Sequence, residues 1–316
     1  MTHAIQINDL GKTFGLRSRT EALAHLNLTV PTGAIYALVG ANGAGKTTII
    51  KILMNIFPPT AGHAQLLGID STRVAGEIFN RIGYVSENQE MPEWMTVGHL
   101  LDFLRPFYPQ WDRALEQQLI HQFDLQLTRK LKHLSRGQRM KAALASVLAY
   151  RPSLIVLDEP FTGLDPLVRD ELIESLLDRA PETTIFLSSH DLGEIESFAS
   201  HVGYLERGRM LFSDEMSTLA DRFREIEVTL SGPSPLPPNL PATWLQPETS
   251  GHILRFIDTS FHPDHTPRQI AEIFSAVHDI EINPMPLRAI FLATAKAGRK
   301  PFNNIPEAAA ARETEA

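Results

Sequence analysis

The nine residues GANGAGKTT, Gly40 to Thr48, carry the most specific chemistry in the sequence. They match the pattern G-x-x-x-x-G-K-[ST], directly after the strand-like run AIYALV and before the helical IIKILMNIF. In that setting Gly40, Gly43 and Gly45 let backbone N–H groups close around phosphate oxygens, with Asn42 and Ala44 in the turn between them. The helix that follows points its positive end at the same oxygens. Lys46 then reaches the β- and γ-phosphates, Thr47 ligates Mg²⁺, and Thr48 closes the motif. A glycine-rich turn without function is the bland alternative, and the strand and helix on either side argue against it.

A second half of such a site is supplied by LIVLDEP. An apolar strand that ends in Asp158 places a carboxylate where it can hold the Mg²⁺ shell, and Glu159 is then positioned to orient or activate a water. Taken alone, two adjacent acids at a strand end are as readily a solvated loop. With Lys46 on a neighbouring strand end the paired reading prevails.

Three further motifs follow in order: LSRGQ (Leu134 to Gln138) at the start of the helical RMKAALASVLAY, TGLDP with Asp165, and LSSH with His190 at the end of another strand. Each has an ordinary structural reading. A serine and a glycine at a helix start form a common cap, a lone histidine at a strand end is usually structural, and Phe14 in KTFG alone would belong to the core. In combination with the lysine and the paired acids, the first part of the chain, to about Met210, resembles an ATP-binding cassette (ABC) ATPase. The resemblance implies that Ser135, Gly137 and Gln138 face the γ-phosphate of a nucleotide held by a second subunit. It implies also that Asp165 bridges subunits, that His190 contacts the γ-phosphate and that Phe14 stacks on adenine.

Two positions depart from the family's usual pattern. Arg136 stands where glycine is commoner in the LSRGQ stretch, and in RIGYVSENQEM Glu87 stands where a metal-facing glutamine is usual. A carboxylate is a hard oxygen ligand and suits Mg²⁺ at least as well as an amide oxygen. Gln89, two residues on, is the competing candidate. Exporter members of the family often carry glutamate at the first position, so the variant points to that branch.

The elements that must hold these residues are legible as alternating short β-branched runs and longer helical periodicities from Ile5 to about Met210. The pattern indicates an α/β domain with a mostly parallel sheet. AIYALVG, RIGYVS, SLIVLDEP and TIFLSSH read as buried strands, and open parallel sheets bind ligands at their strand ends. Thr96 to Ala149 reads as a helical subdomain, capped at Thr96, with Val97, Leu100, Leu101 and Leu104 on one face. The family resemblance adds the P-loop NTPase fold, with a β-rich N-terminal part.

After Leu230 the proline-rich SGPSPLPPNLPATW reads as a loop. REIEVTL, HILRFI and DIEI beyond and before it read as strands, TPRQIAEIFSAV as a helix capped by Thr266 with Pro267 in its first turn, and PLRAIFLATA as a closing helix. The expected domains are therefore a cassette over 1–215, a small α+β domain over 216–296 and a disordered tail over 297–316.

With 316 residues, two domains are the default, since one domain typically spans roughly 100–200. The absence of cysteine removes disulfides and thiolate metal sites, and a formal net charge of -8 argues against a nucleic-acid partner. The N-terminus lacks the basic start and apolar stretch of a signal peptide, and no apolar run approaches the roughly 20 residues that cross a bilayer. These features give the expectation of a cytoplasmic chain. Together with the resemblance they imply a homodimer, or a heterodimer with a related cassette, that binds ATP and Mg²⁺ and drives a separately encoded transmembrane permease in export, with an importer subunit or a soluble regulatory ABC ATPase as the alternatives. Cassettes that act on ribosomes normally carry two copies in one chain, and repair-type cassettes need a long coiled coil; neither feature is present.

Overall fold

A computed structural model of the chain describes residues 3–15, 19–232, 235–274 and 277–297. The chain divides into two compact units after Leu219. In the first, β1 (His3–Phe14) and β2 (Thr20–Pro31) precede β3 (Ile35–Val39), α1 (Lys46–Leu53), β4 (Ala61–Leu66), β5 (Ile69–Asp70) and β6 (Ile82–Val85). A helical stretch carries α2 (Val97–Leu104), α3 (Arg113–Gln122) and α4 (Arg136–Leu148). Then follow β7 (Leu154–Leu157), α5 (Pro166–Leu177), β8 (Thr184–Ser189), α6 (Leu192–Ile195), β9 (His201–Glu206) and β10 (Arg209–Glu215). The division falls within α7 (Met216–Arg222).

Six strands form one sheet in the order β10-β9-β3-β8-β7-β6, parallel except for the β9–β10 hairpin. Every residue of β3, β7 and β8 is buried, which is why these strands read as unbroken apolar runs: a parallel sheet is covered on both faces. A second, antiparallel sheet has the order β2-β1-β4-β5. Helix α1 lies in the core shared by the two sheets, with Ile49, Ile50, Ile52 and Leu53 packed among Ile5, Ile7 and Leu28 of one and Leu38, Val156 and Phe186 of the other. A helix apolar on most of its surface has no solvent face to offer, so α1 is held between layers and its N-terminus is fixed beside the strand ends.

The helical stretch forms as its pattern indicates. The Thr96 hydroxyl accepts the His99 N–H at 3.2 Å, and Val97, Leu100 and Leu101 are buried. Helix α4 buries Ala142 to Leu148 and comes so close to β6 that a Cβ on Gly83 would lie 2.2 Å from Val147 Cγ1.

The second unit contains β11 (Arg224–Leu230), β12 (Trp244–Ser250), β13 (Ile253–Asp258), α8 (Thr266–Ile273), β14 (Val277–Pro284) and α9 (Leu287–Ala297). Its antiparallel sheet has the order β12-β13-β11-β14, and its core stacks Trp244 on Phe256 with ring centroids 4.0 Å apart. Thr266 is not the cap of α8. The cap position is His265, and the Thr266 hydroxyl instead donates to the buried Asp258 carboxylate at 2.9 Å and accepts the His262 N–H. The helix also stops at Ile273, where Phe274 turns extended to enter the core, short of the expected Val277. The disorder expected for 297–316 falls, Ala297 apart, outside the described residues.

The contact between α4 and β6 is testable. Gly83→Ala is expected to destabilise the cassette by about 1–3 kcal/mol through overpacking. Adding Val147→Ala, which removes the clashing methyl, should restore most of the loss in thermal unfolding. A loss on Gly83→Ala as large in the Val147→Ala background as in the wild type would place the obstacle on Pro152 Cγ, 3.3 Å away, rather than on Val147.

Candidate nucleotide-binding site

The carboxyl ends of four adjacent strands, β3, β8, β7 and β6, deliver the residues singled out above. Gly40 N–H donates to Ser189 O at 3.2 Å, and Asp158 N–H to Val85 O at 2.9 Å, so the chain remains in sheet register up to the point where the chemistry begins. From β3 the loop 40–45 turns into α1. Gly45 has φ 113°, and a Cβ there would meet Leu23 Cδ2 at 2.8 Å and Ala22 O at 2.9 Å. Gly40 packs so closely on the Leu205 carbonyl that a Cβ would lie 2.3 Å from the oxygen. Those two glycines are therefore fixed by close approach, and Gly45 by its dihedral as well.

Lys46 is buried. Its ammonium donates to Gly40 O at 2.5 Å and Ala41 O at 3.3 Å and forms an ion pair with Glu159 Oε1 at 3.0 Å. The other oxygen of Glu159, Oε2, accepts the Thr162 hydroxyl at 2.9 Å and lies 2.8 Å from His190 Nδ1. Burial pushes the Glu159 carboxyl up; the hydrogen bonds from His190 and Lys46 and the lysine charge outweigh it and hold the group below the usual carboxylate range. Asp158, also buried, accepts the Ser188 hydroxyl at 2.7 Å and the Thr47 hydroxyl at 3.2 Å on the same oxygen, Oδ1. Ser188 Oγ in turn accepts the Glu159 N–H at 2.9 Å.

Around these groups lies a cavity of about 410 Å³ whose lining includes Asn42, Gly43, Gly45, Lys46, Thr47, Thr48, Glu87, Glu159 and His190. Gly40 and Ala44 stand behind it as packing and as a carbonyl for Lys46. Glu87 lines the cavity, whereas the Gln89 amide oxygen is folded back on Ser86, accepting its N–H at 3.0 Å and its hydroxyl at 3.1 Å. Ser188 and Thr162 were not singled out by sequence. The signal lies in the strings LSSH and TGLDP, where Ser188 stands two residues before His190 and Thr162 three residues before Asp165.

Other expected residues lie elsewhere in the chain. Ser135 and Gln138 form a capping box on α4, each side chain bonded to the other's backbone N–H at 3.2 Å. A Cβ on Gly137 would touch Val168 Cγ1 at 3.0 Å, and Asp165 caps α5 by accepting the Val168 N–H at 3.1 Å. None of the four lines the cavity within one chain. Phe14 does not line it either: half-buried, it packs edge to face on Phe57 with centroids 5.4 Å apart, and Lys12 Nζ sits 4.9 Å from its ring centre.

A glycine turn opening a helix, a buried lysine and two carboxylates at parallel-strand ends define a nucleoside triphosphate hydrolase site. Comparison with known proteins narrows the class. A family model for the ABC transporter matches residues 23–162. The uncharacterized ABC transporter ATP-binding protein YcbN of Bacillus subtilis is 33% identical over 215 residues, covering 67% of this chain and 69% of that protein. The bacitracin transport ATP-binding protein BcrA of Bacillus licheniformis is 33% identical over 236 residues, covering 73% and 76%. A solved structure of the ATP binding subunit of an ABC transporter superposes with a TM-score of 0.61 at 26% identity, over 68% of this chain and 91% of that one. The chain belongs to the ATP-binding subunits of ABC transporters, and its activity is ATP hydrolysis.

Ser188→Ala removes the donor to buried Asp158 and the acceptor of the Glu159 N–H together. It is expected to destabilise the chain by about 1–3 kcal/mol and to slow ATP hydrolysis. Chemical denaturation is the measurement; an unchanged midpoint would show that water replaces the hydroxyl without loss.

Proposed function

We propose that this chain is the ATPase subunit of an exporter, working as a homodimer or with a related cassette on the cytoplasmic side of a separate permease. The observation that carries the reading is the convergence of Lys46, Thr47, Glu159, His190 and Glu87 on one cavity, with Asp158 behind it holding the Thr47 hydroxyl. The likeness to a bacitracin transport protein and the glutamate at position 87 both favour export. Among the described residues no helix is long and apolar enough to cross a membrane.

The oxygens near Thr47 fit a hard divalent cation: Thr47 Oγ1 and Asp158 Oδ1 lie 3.2 Å apart, and Glu87 lines the same space. Among the described residues no group of three or more His, Asp or Glu side chains could hold a metal, so the phosphates would complete the shell, as is usual for Mg²⁺. When bound, the cation supplies charge stabilisation on the phosphate oxygens. Lys46 gains a stronger anionic partner when the triphosphate enters, and its release frees Glu159 Oε1 to accept a proton from the attacking water. His190 keeps Nδ1 on Glu159 and turns Nε2 to the γ-phosphate. Ser135, Gly137, Gln138 and Asp165 act on the nucleotide of the second subunit. The loop 87–94, where Trp94 is 70% exposed, carries the motion to the permease.

Glu159→Gln keeps the shape of the side chain without a base. It is expected to bind nucleotide, to lose steady-state hydrolysis by about 100-fold or more and to accumulate an ATP-bound dimer in size-exclusion chromatography. Near wild-type turnover would remove Glu159 from its role.

In the loop, Glu87→Ala is expected to weaken Mg²⁺-dependent turnover far more than Gln89→Ala, and Glu87→Gln to retain substantial activity because an oxygen ligand survives. The opposite order of the two alanine variants, read in Mg²⁺ titrations of ATPase rate, would shift the metal-facing position to Gln89.

A further inference from the structure

The two positions at which the chain departs from the family's usual motifs, Glu87 and Arg136, line one cavity of about 350 Å³. Glu87 and Glu90 reach it from the loop after β6, and Arg136 and Arg139 from the first turn of α4. Glu87 also lines the phosphate cavity, so one carboxylate is shared between the two spaces. On its other side Arg136 lies across Gly163: its Nη1, Cζ and Cδ are 3.3, 3.6 and 3.7 Å from where a Cβ would stand on that residue, whose φ is +69°. Gly163 follows Thr162, which donates to Glu159.

Each departure is unfavourable alone. A cation at the first position of a helix opposes the helix dipole. A third carboxylate, beside Asp158 and Glu159, repels the phosphates that the cavity must accept. Opposite in sign and lining one space, the two are placed to offset each other. We propose that Arg136 is a positioning residue for ATP hydrolysis, the counter-charge of Glu87 across their shared cavity, coupling the loop after β6 to the start of α4 and to the loop that holds Glu159. The proposal rests on Glu87 being the metal-facing residue. It gives the cassette a contact that glutamine and glycine cannot make: as the cavity narrows on nucleotide binding, the pair closes, and the metal-facing loop and α4 move together.

The test is a double-mutant cycle on the full chain, with ATPase rate followed against Mg²⁺ and ATP and a melting curve for each variant. Arg136→Gln is expected to lower kcat about five-fold, equivalent to ~1 kcal/mol, with KM for ATP within about two-fold. In the Glu87→Gln background the same substitution should change kcat by less than about two-fold, since the charge to be balanced is gone. Arg136→Lys should keep more than about half of the activity. Equal losses in both backgrounds, or no loss on Arg136→Gln, overturn the pairing even though Glu87 faces the metal. If Glu87→Ala leaves Mg²⁺ dependence unchanged, the placement of Glu87 fails first and the pairing with it.

Discussion

Three buried charges set the terms for the cassette: Lys46, Asp158 and Glu159, each less than a tenth exposed. Removing an ion from water is unfavourable by several kcal/mol unless a partner and further hydrogen bonds compensate. Compensation requires that the ends of β3, β7 and β8 be neighbours, because Lys46 follows the first, the two acids follow the second and Ser188 belongs to the third. The strand order β3-β8-β7 meets that requirement, and β8, between the other two, reaches both: Ser188 serves Asp158 and Glu159 at once, and His190 meets Glu159 from the next turn. The parallel sheet is thus the device that brings charges over a hundred positions apart in sequence to within 3.0 Å, as Lys46 and Glu159 show.

Much of that arrangement was legible because buried parallel strands leave a plain signature. IYALV, IGYV, LIVL and TIFLSS are short apolar runs that stop at glycine, serine or acid, and the stop is where each strand leaves the sheet. What could not be read was chemistry decided by a turn. Glu87 and Gln89 are equally placed in the string SENQ, and only the hydrogen bonds from Ser86 to the Gln89 amide, a three-residue loop contact, withdraw Gln89 and leave Glu87 facing the cavity. Thr266 failed as a cap for a related reason. A threonine before proline at a helix start is a reasonable N-cap, yet here its oxygen accepts the His262 N–H and its proton goes to buried Asp258, so the side chain is turned back onto the preceding loop instead of onto the helix N–H groups. Strand β12 was invisible because Pro247 and a left-handed Gln246 interrupt any alternation; the resulting register shift is tolerated because β12 is an edge.

The paired acids pose a geometric problem that the backbone solves. Successive residues of a strand point to opposite faces, so Asp158 and Glu159 could not both serve one site if β7 simply continued. The strand ends at Leu157, and Glu159 adopts φ 49°, in the left-handed region that a side chain bearing a Cβ enters at a cost of roughly 1–2 kcal/mol. Pro160 contributes by disfavouring the right-handed α region for the residue before it. Three hydrogen bonds hold the conformation: the Glu159 N–H to Ser188, and Thr162 and His190 to its carboxylate. The strain therefore lies where the function needs it, since relaxing Glu159 to an extended conformation would turn its carboxylate away from Lys46 and leave a buried ammonium without its counter-ion. Position 159 is bound to its geometry by the same charge balance that fixes the strand order.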